Sequence, residues 1–550
     1  MQVHAQQTNP KVSFTGTGRA WVDQDNISGN KVAGDTSHAK QANTGYVLLD
    51  LGVNVRPNSS THINATFRAM DQFGGFYGSG VTVRVRQVFL KGIIAKRVNY
   101  QVGDIDIKQT KYTLWNYDEE GQVNESSVFS IPRSIIHYDN FYTDHNTWRV
   151  QGMQTDFAFK IANLIEKIKF DGNMSFVNLS KSEMMGGGSM DVKQSKWLNF
   201  GVNYMNTYQV TSISDSGFYN PVITGNAHMN LTHGDLKTTL GAEIGRSSLS
   251  FTKLSEAPTE QTGGLYEISA KVKHEPTNLS LNVSFRSVSN TFFSAGAQTK
   301  RINFDALNNL FPFVGTTNVV REKYLWDLTR DENSYNRNIS SSLASYNPMY
   351  ANTLPYGNAT PNRQGLTADL VYSDNKVKWV DAFLTAAFLT DIVGQGTLQQ
   401  KHYALIKLGG NIYINRLIGV ENKIKINFGL QSDNASRSGN SYEQVNYSTN
   451  LIDLGADIEI VKRFELLIGL KYLRAKGNDF YVVRNTFNQV TDYLAFNQNS
   501  SQTMFGGGLK YSFSQKIYIT VQDNMSVNTE LDSSNNINLN QLYMLFNMTF

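Results

Sequence analysis

Five basic side chains stand early in the chain at positions governed by a two-residue repeat: Arg56, His62, Arg68, Arg84 and Arg86. Guanidinium groups on one face of neighbouring strands hydrogen-bond carboxylates and phosphates in pairs and focus a positive field into any cavity they line. The chemistry on offer is recognition of anionic or polyanionic solutes by pore-lining cations. A second reading stays open beside it, in which these cations pair with carboxylates of the same face, such as Asp50 and Glu243, and stiffen the structure. Catalytic readings fare worse. His137, Asp139, Asp144 and His145 gather in one short stretch, as in a hydrolase site, but crowding in sequence is not a catalytic geometry and a hydrated polar loop explains them. The nine histidines are otherwise scattered without an H-E-x-x-H spacing, and no G-x-S-x-G elbow is present. Cysteine is absent, which removes thiolate nucleophiles, disulfides and cysteine-ligated metal sites. Asp23-Gln24-Asp25 followed by Asn26 is a fragment of a calcium loop without the rest of its pattern. Gly186-Gly187-Gly188 and Gly506-Gly507-Gly508 read as bends or close contacts in strands rather than phosphate cradles. The expectation is a protein that is not an enzyme and has no metal or cofactor.

Whatever positions those cations must be built of strands. Aromatic residues make up 12% of the 550-residue chain, charged residues only 17%, prolines number 10, and the mean hydropathy is −0.35. No run approaches the roughly 18 consecutive apolar residues of a transmembrane helix. Period-two alternation recurs instead. Val47, Leu49, Leu51, Val53 and Val55 oppose Asp50, Asn54 and Arg56; Ile63, Ala65, Phe67 and Ala69 oppose His62, Asn64, Thr66 and Arg68. Farther on, Ile168, Phe170, Met174 and Phe176 oppose Lys167, Lys169, Asp171 and Asn173, and Leu279, Leu281, Val283 and Phe285 oppose Ser280, Asn282, Ser284 and Arg286. One face is greasy and the other wet, as in a closed barrel that meets lipid outside and water inside.

Connection lengths separate a barrel from a soluble sandwich. Short turns at Arg56 to Ser60, Leu164 to Glu166, His233 to Asp235, Glu275 to Thr277, Lys462 to Arg463 and Ser514 to Gln515 alternate with longer links such as Asp23 to Thr44, Ser250 to Gly264 and Lys476 to Gln502. Outer-membrane barrels alternate in this way because periplasmic turns are short and extracellular loops long. The fold expected is all-β: a single transmembrane antiparallel β-barrel of about 22 strands, within a range of roughly 18 to 22. It begins with Lys11 to Val22 and ends with Asn538 to Phe550, and no stretch shows sustained helical periodicity. Residues 1–10 read as a signal-peptide remnant and N-terminal tail, with Val3-His4-Ala5 as the cleavage site, and residues 11–550 as the barrel, carrying long loops at 107–146 and 292–364. The second loop is rich in aromatics. Phe311, Phe313, Tyr324, Trp326 and Tyr350 exceed what a solvated loop needs, so they constrict the lumen, cap it, or dock a partner.

The last strand places Leu542, Met544, Phe546, Met548 and Phe550 on one face. A terminal Phe preceded by apolar residues at every second position resembles the C-terminal assembly signal of bacterial outer-membrane proteins, with Phe546, Met548 and Phe550 as its core, and implies recognition by the barrel-insertion machinery. Arg86-Gln87 and Val102-Gly103-Asp104, within Val85 to Asp106, resemble the strand-turn-strand element of large porin families, including phosphate-selective and alginate-export types. That resemblance implies diffusion of solutes. The Asn-rich, Lys-rich, aromatic-rich composition resembles barrels of Bacteroidota. Two functions follow as expectations for a protein of the bacterial outer membrane: a porin-like channel for hydrophilic solutes, with anions favoured by the basic strip, or a non-conducting barrel subunit of a secretion, uptake or biogenesis complex that binds protein partners through its long loops. Lipid and lipopolysaccharide are the surroundings either way, and a net charge of +4 gives no support for nucleic-acid binding.

Overall fold

A computed structural model describes residues 11–74, 80–114, 120–140, 150–161, 164–177, 183–209, 216–253, 256–298, 304, 321–331, 334–335, 339–374, 376–485 and 487–550. Phe311 and Phe313, the tail at 1–10, and Asp144 and His145 lie outside the described residues.

Residues that alternate between apolar and polar build 22 strands, each antiparallel to the next in sequence. In order they are β1 (Val12–Ser28), β2 (Gln41–Asn58), β3 (Thr61–Gly74), β4 (Gly80–Ile94), β5 (Val98–Ile105), β6 (Val150–Ile161), β7 (Ile165–Val177), β8 (Glu183–Lys193), β9 (Leu198–Gln209), β10 (Ser216–His233) and β11 (Leu236–Lys253). The second half comprises β12 (Glu256–His274), β13 (Leu279–Val288), β14 (Arg363–Ser373), β15 (Val380–Thr390), β16 (His402–Tyr413), β17 (Ile424–Arg437), β18 (Val445–Val461), β19 (Phe464–Arg484), β20 (Val490–Ser514), β21 (Ile517–Glu530) and β22 (Asn535–Thr549). The sheet closes where β1 pairs with β22, from Thr17 opposite Thr549 to Ser28 opposite Asn538. Phe550 completes the seam by exchanging backbone hydrogen bonds of 2.9 and 3.0 Å with Gly16. Closure leaves no unpaired edge at the seam and satisfies the backbone in lipid.

The greasy face points outward. Val83 is 72% exposed and Leu49 42%, whereas Asp50, on the other face of β2, is 1% exposed. On the closing strand Leu542, Met544 and Phe550 face out, while Gln541, Tyr543 and Leu545 are buried inside. This lipid-facing belt around a closed antiparallel barrel places the protein in the bacterial outer membrane.

Several connections are shorter than the sequence suggests. The link expected over Lys476 to Gln502 is a paired ribbon, with β19 and β20 in register from Phe464 opposite Tyr511 up to Arg484 opposite Val490. Above the membrane both faces of a strand are polar, so alternation fades although pairing continues. The ribbon tip reaches across the mouth, where the ring of Phe487 meets Phe251 of β11 edge-on at 5.3 Å and the amide of Leu343 donates to Asn488 Oδ1 at 3.1 Å.

Helices are few: α1 (Asn30–Ala33), α2 (Ser127–Asn140), α3 (Leu325–Arg330) and α4 (Ile414–Ile418). The 14-residue α2 corrects the expectation of no helical periodicity. Its buried positions Val128, Phe129, Pro132, Ile135 and Ile136 follow helical spacing, but Pro132 inside the run reads as a breaker in sequence.

Candidate functional site

The described parts of the links from β5 to β6 and from β13 to β14 fold into the lumen rather than away from it. Val123, Val128, Phe129, Ile136, Tyr324, Leu325, Trp326, Leu328, Tyr335, Met349 and Tyr350 share one apolar cluster with the inward residues Leu405, Leu451, Leu467, Leu473, Met504 and Leu539 of the wall. Tyr324, Trp326 and Tyr350 are all buried there. The Tyr350 hydroxyl donates to the Lys323 carbonyl at 3.1 Å and accepts from Gln502 Nε2 of β20 at 3.0 Å. Of the constriction, capping and partner-docking readings open for these three, their burial accords with constriction, since side chains sealed inside the barrel offer an external protein no surface. They are parts of a plug.

The plug is stapled by charge as well as by grease. In the second loop Arg330 pairs with Asp25 of β1 at 2.7 Å, the amide of Asn352 donates to Asp433 of β17 at 2.9 Å, and the Thr353 carbonyl accepts from Arg363 Nε of β14 at 3.1 Å. Asp23 accepts from Gln541 at 2.7 Å, so the Asp23-Gln24-Asp25 segment serves plug docking and wall contacts. On the opposite side, Lys111 pairs with Glu267 at 2.6 Å and the hydroxyl of Tyr112 donates to the same carboxylate.

Helix α2 crosses the lumen as a chord. Its N-terminal end sits in a groove of the wall where Gly469 and Gly506 stand on the inward face of β19 and β20; a Cβ on Gly469 would collide with Ser126 and Val128. Beside that groove Glu125 accepts from Arg133 Nε at 2.7 Å and Nη2 at 3.1 Å, and also pairs with Lys471, which lies 3.2 Å from Asp453. Burial raises the Glu125 carboxyl, but the two cations outweigh it and hold the group down at about 2. The other end of α2 meets β1 to β4. Arg19 pairs with Asp139 at 2.9 Å, Arg68 with Asp139 at 2.8 Å and with Asp50 at 2.7 Å, Arg86 donates to the Tyr138 carbonyl at 2.5 Å, and the Tyr138 hydroxyl donates to Asp50 at 2.6 Å. Acidic groups at the helix start and cations at its end match the helix dipole at both termini.

The five basic residues singled out in sequence separate into two groups. Arg68 and Arg86 belong to the mid-barrel cluster, buried against Asp50 and Asp139; Arg84, opposite Arg68 in register, is exposed at its edge. Arg86 shares the inward face with Arg84 by alternation against the outward Val83 and Val85, and a bulge between Thr66 and Phe67 then shifts the phase of β4 so that Phe89 and Lys91 face in as well. Arg56 and His62 lie toward the periplasmic turn, where they line a cavity of about 1130 Å³ with Lys91 and Asp156. A neighbouring cavity of about 930 Å³, lined by Lys167, Lys169, Asp171, Asp191, His228 and Glu243, shares Asp106 and Gln154 with it. Together they form a wet vestibule along β3 to β11 that opens toward the periplasm and ends against the plug. Glu243 has no arginine partner among the described residues, unlike Asp50. The Val102-Gly103-Asp104 element is structural: Gly103 has φ +100°, and Asp104 accepts the amide of Val88 at 2.7 Å where the ladder between β4 and β5 stops. Sequence reasoning missed Arg19, Glu125, Arg133 and Lys471; Lys471 stood among Leu467 and Leu473 on one face, a charge in an apolar row that signals a buried partner.

The belt, the closure and the filled lumen define an outer-membrane β-barrel. No family model matches the chain, and no curated protein matches it in sequence. In structure it is similar to the outer-membrane channel DcaP of Acinetobacter baumannii, at 10% identity over 98% of this chain and 97% of that one, with a TM-score of 0.29. It is similar also to OccK5 (OpdH) of Pseudomonas aeruginosa, at 7% identity over 98% of each chain and a TM-score of 0.35, and to the translocation pore of the P pilus usher PapC, at 8% identity over 98% of this chain and 100% of that one, with a TM-score of 0.34.

Proposed function

We propose that this barrel is a gated porin-like channel for hydrophilic solutes with a preference for anions, closed in the state described by its two inward-folded loops. The observation that carries the reading is the polar vestibule, which runs from the periplasmic end to mid-barrel and stops at a plug held to the wall by ion pairs and hydrogen bonds as well as by apolar contacts. The desolvation cost of buried ion pairs offsets much of their attraction, so a plug held in part by them is releasable. The full chain in planar bilayers is expected to show a predominantly closed state with brief anion-selective openings. Replacing Arg56 and His62 with Gln lowers the anion preference. Silence of the native barrel and of a plug-loosened variant alike would end the channel reading.

The fully buried Trp326, Phe129 and Phe292 support the second reading, a non-conducting barrel subunit of an outer-membrane complex, because they fill the lumen with a dry core. A silent barrel that purifies with a stoichiometric partner favours it. Insertion through a machinery that reads Phe546, Met548 and Phe550, and an origin in Bacteroidota, belong to the proposal on the strength of the closing strand and the composition.

A further inference from the structure

The wall cluster facing the end of α2 is built like an anion site with its ligand already in it. Three guanidinium groups, Arg19, Arg68 and Arg86, converge from β1, β3 and β4, and the wall supplies one carboxylate, Asp50, to balance them. The wall alone leaves two positive charges unmatched, and Asp139, arriving from the plug, offsets one of them. Its two oxygens take different partners: Oδ2 meets Arg19 at 2.9 Å, and Oδ1 meets Arg68 at 2.8 Å with Arg86 at 3.7 Å. Arg19, Arg68 and Arg86 are all buried, so the field they set up is not quenched by bulk water. Tyr138 lies among them, with the three guanidinium carbons 4.5 to 5.8 Å from its ring centre.

A cavity of about 150 Å³ adjoins this cluster, lined among others by Arg68, Arg84, Asp139 and Arg330. At roughly 30 Å³ per water it has room for about five, the bulk of a small organic acid. Arg84 has no carboxylate partner among the described residues and stands at its rim.

We propose that Arg19, Arg68 and Arg86 form a carboxylate-binding site on the barrel wall in which Asp139 is the resident anion, and that a solute carboxylate displaces it and frees the C-terminal end of α2. The proposal rests on the gated-channel reading for the solute's route, while the site itself is testable without current. Because Asp139 is tethered, its effective concentration at the site is on the order of millimolar or higher, and a free solute competes only in that range.

The test is calorimetric titration of the detergent-solubilised full chain with succinate, inorganic phosphate and chloride at constant ionic strength. Native protein should bind succinate at millimolar concentration, Asp139→Asn at least tenfold more tightly, and Asp139→Asn/Arg86→Gln more weakly than Asp139→Asn. Thermal unfolding of each variant shows whether the barrel is intact. Equal succinate affinity of the native chain and Asp139→Asn, both folded, overturns the proposal, and tighter binding of phosphate than of succinate overturns the carboxylate assignment. Displacement without any bilayer current leaves the site standing and removes the channel reading; currents that succinate leaves unchanged, with no binding, do the reverse.

Discussion

Glu125 is the contact whose loss should most directly unseat the plug. Its carboxylate is fully enclosed and neutralises two cations, Arg133 of α2 and Lys471 of β19, whose own side chains are 3% and 0% exposed. Glu125→Gln keeps the shape and removes the charge, and among the described residues Asp453 is then the carboxylate paired with Lys471. Breaking a buried pair from one side costs about 3 to 5 kcal/mol. At about 1.4 kcal/mol per decade, the ratio of docked to undocked plug falls by roughly a hundredfold to a few thousandfold. The chain contains no cysteine, so a single one is a clean reporter. Val128→Cys, fully buried in the first turn of α2, should react with a maleimide at least about a hundred times faster when Glu125→Gln is also present. Leu398→Cys, 97% exposed on an external loop, should react at one rate in both backgrounds. Equal rates at position 128 would refute the argument that this charge triad holds the plug.

Acid should loosen the same helix. Burial, reinforced by nearby Arg133, lowers His137 to about 4, while an undocked ring titrates near 6.5. The undocked state therefore binds the proton first: docking is at full strength above pH 6.5 and weakens as pH falls from 6.5 toward 4, by no more than roughly 3 kcal/mol. Glu125, held at about 2, stays charged across that window. Maleimide labelling of Val128→Cys at pH 7 and pH 5 reads the effect, and His137→Gln should flatten it. A side chain at the groove should act like the loss of charge: Gly469→Val pushes against Ser126 and Val128, and raises labelling at an otherwise buried Thr329→Cys without lowering the melting temperature of the barrel by more than a few degrees. Gly103→Ala forces a side chain into φ +100° against the Val88 carbonyl, a strain of about 1 to 3 kcal/mol that a lowered thermal midpoint of the whole barrel reports. Removing Phe550 leaves Gly16 without its backbone partner at the seam, and should reduce the amount of assembled barrel in the outer membrane several-fold while unassembled chain accumulates.

The wall was legible because lipid enforces a strict rule. Val47, Leu49 and Leu51 must face hydrocarbon and Asp50 must not, so alternation survives in sequence wherever the belt runs, and the strand count and short turns follow from it. The rule lapses above the belt, which is why Lys476 to Gln502 looked like a loop. Inside the lumen no periodic constraint applies at all. Arg68 and Arg86 were visible as inward cations, but whether they faced water or Asp139 depended on a helix that arrives from 50 or more residues away, and nothing local to either partner records that meeting.

The way α2 is held explains why it reads so poorly and works as a crossbar. A helix of 14 residues spans roughly 20 Å. Its positive end lies near Asp453, Asp457 and Glu125, and its negative end near Arg19, Arg68 and Arg86, each favourable dipole contact contributing about 0.3 to 1 kcal/mol. The basic cluster does not suit an empty lumen, since its wall residues Arg19, Arg68 and Arg86 outnumber Asp50 and the helix terminus offsets the excess. At the other end the wall balances itself, Asp453 against Lys471 and Asp457 against Lys425. Loss of α2 would therefore leave a basic patch on one side of the aqueous section and a neutral polar wall on the other. On the channel reading proposed above, the cations that hold the helix when it is docked are the cations a solute meets when it is not.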